Sequence, residues 1–167
     1  MWLDQLLAEL GHCGPQGRAA LCFLTEQRVK VSLHDQPTAA RWTAFGNIQL
    51  HPRYAKGASD APYPLSLIVH EVQHLKQGVF TALSGFGELN AWQTQFSFLK
   101  SLTGCYHSDS QSNALITELM SLSLNGDRKV LIRALNLMRA YAGKGYRVNL
   151  LPLTPLPREI LFFISRR

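Results

Sequence analysis

His70, Glu71 and His74 stand in the chain as His-Glu-Val-Gln-His, inside a stretch from Pro64 to Gln77 that reads as one helix. Two imidazoles four residues apart on a helix stack on one face, one turn above the other. Held that way they can share one Zn2+ at about 2.0–2.1 Å per nitrogen. Glu71 lies about 100° around the helix from His70, within reach of a water at the metal, as a general base rather than a ligand. Catalytic zinc needs a third protein ligand and an open position. Glu88 is the candidate. It opens the next helical stretch, Glu88 to Leu102, after the link Val79 to Gly87, which contains the turn residues Ser84, Gly85 and Gly87. Ala91, one turn on, is small enough for close helix approach, and Trp92, Phe96 and Leu99 continue an apolar stripe. A carboxylate at Glu88 also suits a helix N-terminus without any metal.

The segments IVHEVQHLKQG and GELNAWQTQFSFL resemble the gluzincins, the zinc-peptidase clan in which thermolysin is the best-known member. The resemblance implies a zincin-like α+β fold with a small N-terminal β-sheet, an active-site helix, a following glutamate helix and a helical C-terminal part. It also implies Zn2+ as cofactor, His70, His74 and Glu88 as ligands, Glu71 as catalytic base, and a peptide or protein substrate. The gap from His74 to Glu88 is shorter than in thermolysin-like members, which implies a compact domain and keeps Glu118 as the alternative third ligand. A metzincin would need histidine at position 80, where Phe80 stands. A site closed by a later histidine, as in SprT-like proteins, would use His107. Gluzincins often stabilise the oxyanion with a downstream tyrosine or histidine; Tyr106, His107, Tyr141 and Tyr146 are available. The competing reading is a non-catalytic or latent zincin scaffold that binds a partner.

These residues need elements to hold them. Leu65, Ile68, Val72 and Leu75 give the pentad helix an apolar face, with Pro64 at its start and Gly78 as its stop. Upstream, helices are expected over Trp2–Leu10 and Arg18–Leu24, and an alternating strand over Arg28–His34. Arg41–Phe45 and Ile48–His51 read as a hairpin turning on Gly46-Asn47, ended by Pro52. In zincins an edge strand above the metal pairs with an extended peptide. Downstream, a polar loop over Cys105–Gln111 leads to helices over Ser112–Leu124 and Asp127–Ala142, stopped by Gly126 and Gly143. Val148–Pro157 is expected to be extended, and Pro157–Arg167 a short helix.

A chain of 167 residues, 46% apolar and 17% charged, suits one folded domain, with the sheet and the two site helices in 1–104 and helices in 105–167. No apolar run reaches the about 20 residues of a membrane span. The N-terminus lacks the basic start of a signal peptide. Cys13, Cys22 and Cys105 form no metal-type spacing, and their odd number fits a reducing, cytoplasmic setting. Charge is uneven. Residues 1–127 carry eight Lys/Arg against ten Asp/Glu, and residues 128–167 carry nine against Glu159 alone. Arg128, Lys129, Arg133 and Arg139 read as a solvated helix face, Arg166 and Arg167 as a frayed tail; recruitment to nucleic acid is the functional alternative.

Overall fold

The computed structural model describes residues 1–43, 45–143 and 145–164, without the side chains of Phe162 and Phe163. Arg166 and Arg167 lie outside the described residues. Within them the chain is α+β, mostly helical with one small mixed sheet. Helices α1 (Trp2–His12) and α2 (Gly14–Glu26) form the first hairpin, and the break falls at Cys13, just before the Gly14-Pro15 pair. Gly14, at φ 71°, makes the corner that Pro15 then follows in the first turn of α2.

Strands β1 (Val31–Leu33), β2 (Ala40–Trp42) and β3 (Ile48–Leu50) lie in the order β1-β3-β2. β1 runs parallel to β3 and β2 antiparallel to it, with Ala40 opposite Leu50 and Trp42 opposite Ile48. The expected strand over 28–34 is shortened at its start because Val29 N donates to Leu24 O at 2.9 Å, which ties that segment to the end of α2. The expected two-residue hairpin turn is also corrected. Gly46 N closes a turn on Thr43 O at 2.9 Å, and Thr43 N donates to Asn47 O at 2.8 Å, so the connection spans 43–47. Ala44 within it is outside the described residues.

Helix α3 (Pro62–Gln77) lies under the sheet. Its stripe residues Leu65, Ile68 and Val72 are buried with Leu6, Leu10, Ile48 and Leu50 in a first apolar cluster. A short helix α4 (Val79–Ala82) leads to α5 (Gly85–Thr103), which packs along α3. α5 has two apolar faces. Phe98 enters the first cluster, while Leu89, Trp92, Phe96 and Leu99 enter a second one with residues of α6 (Ser110–Ser121) and α7 (Arg128–Ala142). Each fully buried side chain of this size contributes roughly 1.5–3 kcal/mol, so the helix carrying Glu88 is held from both sides.

Several boundaries move. α5 starts three residues before Glu88 because the Ser84 hydroxyl caps it, accepting from Gly87 N at 3.1 Å. α6 starts earlier than expected because Asp109 accepts from Ser112 N at 2.7 Å. It stops at Ser121, where Gln93 Nε2 donates to Leu119 O and Leu122 O at 3.0 and 2.8 Å. The segment expected to be extended contains a 3-10 turn, Val148–Leu150, before the terminal helix α8 (Leu156–Ile164). Among the described residues no helix is long and apolar enough to cross a membrane.

Candidate metal centre

His70, Glu71 and His74 face into a cavity of about 680 Å3 and are 8%, 5% and 3% exposed. The Nε2 atoms of the two histidines lie 3.0 Å apart, and His74 Nε2 lies 3.6 Å from Glu88 Oε1. Two donors bound tetrahedrally at zinc distances are separated by roughly 3.3 Å, a spacing that these two values bracket. One donor atom from each of His70, His74 and Glu88 falls within 4.8 Å of the others, and no other such group occurs among the described residues.

The electrostatics have a common cause. Burial holds His70 well below the usual imidazole range, with the nearby His74 adding to it, and burial brings His74 down to about 4. Both imidazoles are therefore neutral at pH 7, the form that binds metal. Burial pushes Glu88 up to about 7, while burial and then the Glu88 carboxylate push Glu71 up to about 8. Two acids whose charges act on each other in one desolvated site are costly to ionise together. A divalent ion among these donors would remove that cost, so the donor set fits one.

Several neighbours hold the donors in place. The Tyr146 hydroxyl donates to Glu88 Oε2 at 2.7 Å and accepts from Trp92 Nε1 at 3.0 Å. That leaves Oε1 turned to the histidines. Asn90 Oδ1 accepts from Gln73 Nε2 at 2.5 Å and from Gln77 Nε2 at 2.8 Å, clamping α5 to α3. Gly87 makes the approach possible: a Cβ there would lie 1.9 Å from Thr81 O. Gln95 donates to Ser66 Oγ at 3.3 Å and acts on His70 against the effect of burial. Sequence reasoning missed Gln73, Gln77, Asn90 and Gln95. The i, i+4 spacing of Gln73 and Gln77 on the pentad helix was the one available signal.

The other candidates are placed elsewhere. Glu118 lies on the surface of α6, where its carboxylate accepts from Arg133 Nε at 2.6 Å, and it is corrected as a third ligand. His107 is likewise outside the donor group: its Nδ1 accepts from Asp109 N at 3.0 Å, and its ring stacks edge-on against Tyr141. Tyr106 sits under Lys100, with the ammonium 4.5 Å from the ring centroid. Of the four oxyanion candidates, only Tyr141 and Tyr146 border the cavity. Tyr146 spends its proton on Glu88. Tyr141 has no hydroxyl partner among the described residues, and burial raises its pKa. The expected solvated basic face is partly paired, Arg128 with Glu159 at 2.7 Å and Arg133 with Glu118.

β2 is an edge strand and borders the cavity. Residues 39 and 43 bond to the β3 side through His51 N and Asn47 O, so by antiparallel alternation the backbone groups of Ala40 and Trp42 point outward. Trp42 makes a backbone hydrogen bond to Glu71, which lowers the Glu71 pKa against the effect of burial. Its indole ring lies 6.4 Å from that of His74. Comparison of the chain with protein-family models, curated proteins and solved structures returns no match in any of the three.

Proposed function

We propose that this protein is a compact gluzincin-like zinc peptidase, in which His70, His74 and Glu88 hold Zn2+ and Glu71 is the catalytic base. The observation that supports it most is the convergence of two buried histidines and the half-buried Glu88 on one point, with Glu71 beside them and an outward-facing strand edge bordering the same cavity. A divalent ion bound there supplies Lewis acidity to a carbonyl and makes water more acidic. Neutral His70 and His74 bind without a proton to expel, and Tyr146 holds Glu88 in the ligating orientation. A neighbouring positive charge favours ionised Glu71, which then accepts the proton of the attacking water and delivers it to the leaving amine. The backbone hydrogen bond from Trp42 favours the ionised form of that carboxylate. The outward backbone groups of Ala40 pair with an extended peptide. The Tyr141 hydroxyl donates to the oxygen on which charge develops.

The test is metal content together with one conservative variant. Purified protein is expected to hold about one zinc per chain, and Glu71→Gln is expected to retain it while losing peptide hydrolysis. Hydrolysis surviving in Glu71→Gln, or no stoichiometric zinc, defeats the reading.

A further inference from the structure

Two arginines border the cavity, and they are not equivalent. Arg41 is turned across the sheet, where its Nε donates to Gln49 Oε1 at 2.8 Å. Arg53 stands in the 3-10 turn Pro52–Lys56 that follows β3. Its Nη2 donates to the Tyr54 hydroxyl at 2.8 Å, and its guanidinium carbon lies 4.9 Å from the Tyr54 ring centroid. The Tyr54 and Tyr63 ring centroids are 6.0 Å apart, and the Arg53 charge acts on the Tyr63 phenol in the cavity wall. Arg53 is thus held by Tyr54, with most of its five donors left over. It forms no ion pair among the described residues.

Two elements run from the surroundings of Arg53 to the donor cluster. On α3, Tyr63, Leu67, His70 and His74 share the cavity face. The seven residues from Tyr63 to His70 correspond to about 10 Å along the axis. On β2, Trp42 lies beside His74 and Glu71, while Ala39, three residues back, is bonded to His51 N at 3.0 Å, two residues from Arg53. Three extended residues also cover about 10 Å. Both spans separate the neighbours of Arg53, Tyr63 and Ala39, from the donor cluster by about 10 Å.

We infer that Arg53 is an anion-accepting subsite of this cavity, selecting a carboxylate roughly three residues from the bond to be cleaved. This rests on the peptidase reading for its meaning, but not for its test. The carboxylate can come from an Asp or Glu side chain or from the C-terminus of a short peptide. The guanidinium fork suits either, and the Tyr63 ring in the cavity wall packs against the flanking residue.

Two measurements decide it. In the zinc-loaded protein, peptides carrying one Glu at each position around the cleaved bond are compared with their Gln counterparts, and free C-termini with amidated ones. A preference of about five- to tenfold in kcat/KM is expected at one position, three residues from the bond. The free-against-amide arm shows whether a chain terminus serves as well. Arg53→Gln is expected to bring that ratio close to one. In the metal-free protein, where Trp42 and Trp92 border the cavity, tryptophan fluorescence follows binding of an acidic hexapeptide and of its Gln counterpart. Tighter binding of the acidic peptide, lost in Arg53→Gln, supports the subsite even if no peptide is hydrolysed, a result that would defeat only the peptidase reading. Equal binding of the two peptides, or a preference that survives Arg53→Gln, overturns the inference.

Discussion

Tyr146 and Glu88, 58 residues apart in sequence, meet at 2.7 Å, phenol hydroxyl to carboxylate Oε2. The same hydroxyl accepts from Trp92 Nε1, so a residue on the turn after α7 fixes a side chain at the start of α5. Removing the hydroxyl should leave the fold intact and let the carboxylate rotate. Tyr146→Phe is expected to weaken zinc binding by about 10–100-fold, measured by competition with a chromophoric chelator. Unchanged affinity would show that Glu88 needs no such support.

The two acids separate in the same experiment. Glu88→Gln is expected to lower zinc affinity strongly, whereas Glu118→Gln should leave it unchanged and cost no more than about 1 kcal/mol of stability, as for an exposed ion pair. Zinc loss in Glu118→Gln would put the ligand on the wrong helix.

The buried titratable groups set a pH profile for the metal-free protein. Glu88 and Glu71 are raised from 4.5 to about 7 and about 8, so the folded state holds more protons than the unfolded one above pH 4.5, and stability falls as pH rises through 7 and 8. His74 is lowered from 6.5 to about 4, so stability also falls as pH drops from 6.5 towards 4. The two effects oppose each other between 4.5 and 6.5, and only the acids act above. The thermal midpoint in chelator is therefore expected to be lower at pH 8 than at pH 6. Added zinc should raise it more at pH 8, where it competes with fewer protons. A chelated protein more stable at pH 8 would contradict the burial of these carboxyls.

Gly87 gives a packing test. A methyl group there would meet Thr81 O, so Gly87→Ala must displace the start of α5 and Glu88 with it. It is expected to destabilise the protein by about 1–3 kcal/mol and to weaken zinc binding as well. Gly57→Ala serves as the control, because its Cβ would meet Tyr54 O at an ordinary 3.6 Å. Equal melting points for the two variants would mean that the α4–α5 corner can relax.

Tyr141→Phe probes the cavity from the other side. Loss of an oxyanion donor lowers kcat by about 10^2–10^3-fold, here with KM and zinc content little changed, as steady-state kinetics would show. An unaffected kcat would remove Tyr141 from the mechanism.

The helix bearing His70 and His74 was legible because the spacing of Leu65, Ile68 and Val72 is local, and so is the geometry it imposes. Glu88 could be picked out because turn residues precede it and an apolar stripe follows. What supports these residues was not legible. Tyr146 reaches Glu88 only through the return of α7, and Asn90 meets Gln73 and Gln77 only once two helices are aligned. Sheet register was partly hidden as well. Three-residue strands carry little alternation, and the bond from Val29 to Leu24 O overrides it at β1. The 3-10 turn at Val148–Leu150 has no periodic signature at all.

The five consecutive positions from His70 to His74 leave nothing spare. Val72 is sealed in the first apolar cluster, Gln73 is tied to Asn90, and the other three surround the donor point. Val72 and Gln73 are thus no freer to vary than the three residues that bear the chemistry. Saturation mutagenesis across this pentad should yield few soluble variants, with the losses at Val72 and Gln73 appearing as aggregation rather than as inactive but well-behaved protein.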